Sequence, residues 1–422
     1  MTLLNNRGST MVGRARDPES VLGSSARPLE LTGLWSPQEE DIWSIKSALP
    51  RGITLAFILG MSIMSVLKLV MERPREIEEL GTCIFTVAIL WAVFFKVVCF
   101  YAQGPTLRQL VKLLLEIRTV YSTGEHNDEI RRQYQRLEDR MYLILLGMII
   151  PAEAIWAAMP LIHQFVNTEE EEVSQLLPLP IWLPLDIYAS PTYEVIYVAQ
   201  VLTIPFCTLS LCCDFVFIDL MLRIAAELEI LNGNLLGLHK NQISVSVKSK
   251  NEYKPVDQVS DDEINLQLSK NVKHHQAILR SINLLEQAVR TGIFILFLAM
   301  TIGISISIFG TMSLLQTTGG RTRALKFIIA MPIVLFEAGS YCVFGQVITD
   351  QSEKLMHSAY SCGWLDCDIR FRRNLLTFCM GARRPLEITV GRMSKLSKET
   401  FLQVLNGAYA MFNMLYGLQS NR

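Results

Sequence analysis

The sequence predicts an all-α membrane protein with seven transmembrane helices, its N-terminus cytoplasmic and its C-terminus extracellular, with helical extensions into the cytoplasm. Three observations carry that prediction. Half of the 422 residues are hydrophobic and only 19% are charged, against about 25% charged in soluble domains. The apolar residues are gathered into long blocks, and the basic residues alternate between the connections that join those blocks.

A membrane helix needs roughly 20 apolar residues to cross ~30 Å of hydrocarbon. Stretches of that kind run over about 53–70, 82–101, 141–165, 191–218, 292–315, 324–348 and 398–419. The last is the most polar, since it contains Asn406, Tyr409, Asn413 and Tyr416. Buried helices of a soluble core usually run about 8–20 residues, so a series of blocks this long in one chain argues for spans. Most of the 39 Lys and Arg residues fall in the N-terminal tail and in connections 102–140, 219–291 and 349–397. Arg131, Arg132, Arg136 and Arg140 stand directly before the third span, whereas connection 166–190 has no basic residue and carries Glu169 to Glu172. Cytoplasmic flanks are enriched in Lys and Arg, which puts the N-terminus inside and, after an odd number of spans, the C-terminus outside.

The chain therefore divides into a cytoplasmic segment 1–52, spans one to four over 53–218, a cytoplasmic loop 219–291, spans five and six over 292–348, a second cytoplasmic region 349–397 and a last helix 398–422. Within 219–236, Leu220, Ile224, Leu228 and Leu231 recur at helical spacing, so the fourth span continues into the cytoplasm. Residues 240–262, with Pro255 and Asp261-Asp262, read as a flexible linker. Helical spacing returns through Ile264, Leu268, Val272, Ile278, Ile282 and Leu285 and leads into the fifth span. Residues 351–360 prolong the sixth span, and 369–380 read as a further short helix. Apolar stripes on projecting helices must be buried against something, either within the chain or between subunits.

Several function classes are disfavoured. A formal net charge of −1 does not suit a basic nucleic-acid binder. No signal-peptide-like stretch opens the chain, so no cleaved leader is expected. The nine cysteines, at 83, 99, 207, 212, 213, 342, 362, 367 and 379, lack zinc or disulfide-framework spacing and read as reduced and packed. No phosphate loop, nucleophile elbow or His/Glu metal spacing is present, so neither an enzyme nor a cofactor is expected. His274-His275 read as solvated on a cytoplasmic helix. A seven-helix G-protein-coupled receptor is the alternative class. It has the opposite orientation, and here Glu138-Asp139-Arg140 precedes the third span while the seventh lacks Asn-Pro-x-x-Tyr.

The C-terminal region carries a more specific pattern. It runs through Tyr341-Cys342, Gly345-Gln346, Ser352-Glu353, Leu355, Ala359-Tyr360, Cys362 and Trp364. It continues with Arg372-Arg373-x-Leu375-Leu376-x-Phe378, Arg384-Pro385, Gly391, Leu396-Ser397, Thr400-Phe401, Tyr409 and Phe412. This resembles the C-terminal signature of insect odorant receptors. Tyr409-Ala410 departs from the Tyr-Ser pair common in that family's last helix, and the long central insertion of the shared co-receptor is absent. The resemblance implies an odorant-tuned subunit of a ligand-gated, non-selective cation channel. It implies a tetramer formed with the co-receptor in the lipid of the plasma membrane of an olfactory neuron dendrite. The partners implied are a small volatile odorant, the co-receptor and lipid, with no nucleic acid.

In such a channel the seventh helices line the pore. Ser397 can cap that helix, and Glu399 favours the positive end of its dipole. At about 100° per residue, Gly407, Met411, Met414 and Leu418 share one stripe, beside Asn406, Ala410, Asn413 and Gly417. The resemblance places the apolar gate at Met414 and Leu418, with Met411 and Asn413 as further pore candidates. It places the odorant in the outer half of the bundle, where the candidates are Phe85 and Ile89, Ala152 and Trp156, Ile196, Tyr197 and Gln200, and Phe327 and Met331. Lys68 and Lys96, near span ends, are expected to snorkel to the interface. Glu153 and Glu337 lie about halfway along their spans, where a carboxylate is expected to serve function or to be hydrogen-bonded.

Overall fold

A computed structural model describes residues 22–36, 45–72, 77–166, 177–186, 189–249, 256–315, 320–390 and 394–420. It is built almost wholly of helices. After a short helix α1 (Arg27–Leu31) come α2 (Ile45–Met71), α3 (Ile77–Ala102), α4 (Gly104–Val120), α5 (Glu125–Val166), α6 (Thr192–Thr203) and α7 (Pro205–Ser249). There follow α8 (Val256–Leu315), α9 (Gly320–Tyr360), α10 (Ile369–Ala382) and α11 (Lys398–Ser420). A two-stranded antiparallel ribbon of β1 (Thr389–Val390) and β2 (Ser394–Lys395) precedes α11.

Among the described residues, six helical segments are long and apolar enough to cross a membrane, and the protein is multi-pass. These are α2, α3, α5, the α6–α7 pair, α8 and α9. The seventh apolar stretch forms the 23-residue α11, long enough at ~1.5 Å per residue to cross but diluted by its asparagines and tyrosines. The Ser397 hydroxyl accepts from the Thr400 amide at 3.3 Å, capping α11 as the sequence suggested.

Four elements differ from expectation. The first span starts at Ile45, about two turns early, with Pro50 near the start of α2. The fourth span is not continuous: α6 ends at Thr203 and α7 begins with Pro205, because proline has no N–H to donate back along the helix. The expected linker 240–262 is helical to Ser249 and again from Val256. Pro255 is the one strong helix breaker in that stretch, and polarity alone does not stop a helix. Finally, α4 occupies much of connection 102–140, burying Leu107, Leu110, Val111, Leu114 and Ile117 as an apolar stripe.

The N-terminal segment also packs. Leu29 and Trp35 are buried, and Trp35 lies 6.3 Å from the ring of Phe100 on α3. At the centre of the molecule stands α7, where Phe215, Ile218, Leu220, Ile224, Leu228 and Leu231 are all fully buried. Its distal half carries the expected stripe into a compact helical layer formed with α4, α8, α9 and α10.

Because that layer is closed, His274 and His275 are not solvated as predicted. His274 places Nε2 3.1 Å from Glu227 Oε2 and stacks on Tyr121, while His275 meets Phe378 edge-on. Glu227 also accepts from Arg131 Nε at 2.8 Å and from the Ser122 hydroxyl at 2.9 Å. Its carboxylate is thereby satisfied inside the layer.

Candidate functional site: an aromatic cavity in the helix bundle

A cavity of about 210 Å³ lies among α3, α5, α6–α7, α8 and α9. Its size suits a small volatile, since a dry apolar cavity of about 150 Å³ holds a benzene molecule. Phe85 and Ile89 of α3 and Ala152 and Trp156 of α5, four of the residues offered by the sequence as ligand candidates, form part of its wall. Phe85 and Trp156 stack with ring centroids 6.2 Å apart. Ala152 and Trp156 share a helix face because they are one turn apart.

The described residues between α5 and α6 contribute to one end of the wall. Leu179 reaches into the cavity wall, held there by the side chain of Gln200 on α6. Gln200 accepts from the Leu179 amide at 2.9 Å and donates to the Leu179 carbonyl at 3.1 Å. Trp156 Nε1 donates to the Pro178 carbonyl at 3.1 Å, and Lys326 donates to the same oxygen at 3.3 Å while lying 5.6 Å from the Trp156 ring. Replacing Gln200 with leucine leaves the buried Leu179 amide and carbonyl unpaired, at a cost of about 1–3 kcal/mol. Amide hydrogen exchange across 177–183 should therefore accelerate; unchanged exchange would remove Gln200 from the role of clasp.

Other predicted pocket residues are placed behind the wall. Ile196 is buried with Met61, Leu90, Leu179 and Ile181. The Tyr197 hydroxyl donates to the Ala157 carbonyl at 2.7 Å. Phe327 meets Phe85 edge-on at 5.1 Å and backs it, and Met331 packs against the main core. Gln200 acts through Leu179. The sequence reading missed the contribution of α8, where Leu296, Met300 and Gly303 line the cavity, and that of Thr203, Cys207 and Ser210 near the α6–α7 break. Spacing reveals which face of a helix is apolar, but not which helix it meets.

Part of the cavity wall is charged, through Lys96 and Glu337. Lys96 does not snorkel: it is 8% exposed and pairs with Asp214 of α7 at 2.5 Å and with Glu337 of α9. The Tyr341 hydroxyl donates to the other oxygen of Asp214 at 2.9 Å. This cluster pins three helices at one point, and it answers the expectation for Glu337 with an ion pair. Glu153 on α5 lines the cavity and accepts from the Thr208 hydroxyl at 2.6 Å.

Two helices of the cavity also touch α11. On α8, the Ser305 hydroxyl donates to the Ala408 carbonyl at 2.8 Å. On α9, a Cβ added at Gly339 would lie 3.8 Å from the Phe401 ring. Gly345 sits closer still to the segment leading into α11, where an added Cβ would come within 2.7 Å of Leu396. On α11 itself, Ala408 is buried, whereas Asn406, Gly407, Ala410, Asn413 and Met414 are exposed, Met414 at 68%. Met411 is half-buried beside them. Leu418 lies in the last turn, with its side chain outside the described residues. Of the residues predicted to line a pore, Asn413 and Met414 are thus left exposed by the described residues.

Known proteins match the whole architecture. A family model described as 7tm Odorant receptor matches residues 76–409. Odorant receptor Or2 of Anopheles gambiae is 22% identical over 385 residues, covering 89% of this chain and 95% of that one. Odorant receptor 10 of Aedes albopictus is 24% identical over 247 residues, covering 57% of this chain and 60% of that one. The structure of the olfactory receptor OR5 from Machilis hrabei in complex with eugenol superposes with a TM-score of 0.76 at 16% identity, covering 93% of this chain and 97% of that one. The structure of OR5 described without eugenol gives 0.70, covering 90% and 91%.

Proposed function

Because this chain belongs to the 7tm odorant receptor family, we propose that it is the odorant-tuned subunit of a ligand-gated, non-selective cation channel. In this reading it assembles as a tetramer with a shared co-receptor in the plasma membrane of an olfactory neuron dendrite. Its N-terminus is cytoplasmic, its last helix runs outward, and the region of 219–291 and 349–397 forms the cytoplasmic anchor. The observation that supports it most is an apolar cavity, with Phe85 and Trp156 in its wall, whose wall helices α8 and α9 also contact α11.

The proposed mechanism follows from that shared wall. An odorant enters the cavity between Phe85, Ile89, Ala152 and Trp156. Binding drives opening only if the open-state cavity holds the odorant more tightly than the closed-state one. A ten-atom ligand gains at most about 1.5 kcal/mol per heavy atom and usually far less, so a difference of a few kcal/mol is what the site can supply. That difference shifts α8 and α9, and with them α11, whose Met414 and Leu418 form an apolar ring that excludes water when closed. Met411 and Asn413 line the path beside it.

Ala152 offers the direct test. Its side chain is 7% exposed and forms cavity wall, so Ala152→Phe fills the space a ligand would take. Potency for the larger agonists should fall roughly 10- to 200-fold, the range for a pocket losing one good contact. Surface delivery and assembly should be retained. Unchanged potencies across a broad odorant panel would place the ligand elsewhere.

A further inference from the structure

The cavity's polar groups form an unequal set of donors and acceptors. The Thr86 hydroxyl donates to the Thr82 carbonyl at 2.9 Å, and the Thr203 hydroxyl to the Ala199 carbonyl at 2.8 Å. Trp156 spends its one N–H on Pro178, and Thr208 spends its hydroxyl proton on Glu153. Two of the three Lys96 N–H groups go to Asp214 and Glu337. What stays open on the wall includes lone pairs on Glu153 and the Ser210 hydroxyl, which is a donor as well as an acceptor. A carboxylate has about four acceptor sites, and Glu153 uses one of them on Thr208.

Among the described residues Glu153 makes no ion pair. One turn of α7 carries Cys207, Thr208 and Ser210, and the Thr208 bond ties Glu153 to that turn. Ser210 lines the cavity, is 1% exposed, and its Oγ has no hydrogen-bond partner among the described residues. A buried hydroxyl without a partner is uncommon and marks a position where an absent group completes the set. The remaining wall, from Phe85 and Ile89 to Leu296 and Ile333, is apolar.

Resting on the reading of this cavity as the odorant site, we infer that it is tuned to small volatiles with one hydrogen-bond-donating head, an O–H or N–H, on an apolar body. The head donates to Glu153 and pairs with the Ser210 hydroxyl, and the body lies against the stacked Phe85 and Trp156. An ester, ether or ketone of equal size carries no proton for Glu153. It therefore forgoes the bond that a donor head makes to the half-buried carboxylate.

Three probes of eight heavy atoms separate the possibilities: benzyl alcohol, benzylamine and anisole. In the full chain expressed with its co-receptor, the alcohol or the amine should evoke current at concentrations roughly tenfold below those anisole needs. Glu153→Leu should abolish that advantage, while Ser210→Ala should reduce it. Glu153→Gln keeps an acceptor and loses the charge. It should preserve the advantage of benzyl alcohol if hydroxyls are the natural heads, and should selectively weaken benzylamine if ammonium groups are.

Anisole matching or exceeding both donors would overturn the inference, as would no response to either donor. So would an unchanged ranking in Glu153→Leu delivered normally to the surface. If Ala152→Phe shifts all potencies while Glu153→Leu leaves the ranking alone, the cavity reading stands and the donor inference alone fails.

Discussion

Replacing Lys96 with methionine should cost the receptor about 3–5 kcal/mol, because it leaves two carboxylates buried without their shared cation. Asp214 and Glu337 come from α7 and α9, and neither is more than 9% exposed at its side chain. A folded state with a stability of about 5–15 kcal/mol survives such a loss poorly. The expected outcome is a much reduced surface-delivered fraction and a lower midpoint of thermal unfolding for the solubilised protein. Neutralising the whole cluster, with Lys96→Met, Asp214→Asn and Glu337→Gln together, should recover much of the loss, since it removes the orphaned charges as well as the pairs. A single variant indistinguishable from the parent would show that the cluster is open to water or to another cation.

A second large effect is expected at Met414. Its side chain is 68% exposed, on a part of α11 that the other described residues leave uncovered. If neighbouring subunits present the same face, apolar side chains there keep the constriction dry. Met414→Ser wets it, so a cation current without odorant should rise severalfold above the parent at equal surface density. Leu418→Ser should act in the same direction. A variant that assembles normally and neither leaks nor changes permeation would take α11 away from the ion path.

How much of this was legible in the sequence depended on whether the physics was local. Six long apolar helices, the helical extension beyond Ile218 and the helix after Asp368 are all written in spacing, and the structure forms them. So was α4, whose apolar residues at 107, 110, 111, 114 and 117 carry helical period and could have been noticed. Charge partners were not legible. Lys96 looked like an interfacial lysine because its position near a span end was visible, whereas Asp214 and Glu337 lie more than a hundred residues away in the chain. The cavity divided similarly. Phe85, Ile89, Ala152 and Trp156 reach it, but Gln200 holds Leu179 and Tyr197 bonds within the bundle. Which polar residue faces a void and which faces a backbone depends on packing between helices, and no single-helix pattern encodes that.

In the proposed mechanism, occupancy of the cavity opens a path lined by α11. Its most direct test is odorant-evoked current in excised patches bathed without nucleotides, comparing the parental subunit with Ala152→Phe, each beside the same co-receptor. The account predicts that current persists without nucleotide and that its concentration dependence moves with the substitution for the larger agonists. Current that disappears when nucleotide is withdrawn, or that keeps the parental concentration dependence in Ala152→Phe, would contradict it.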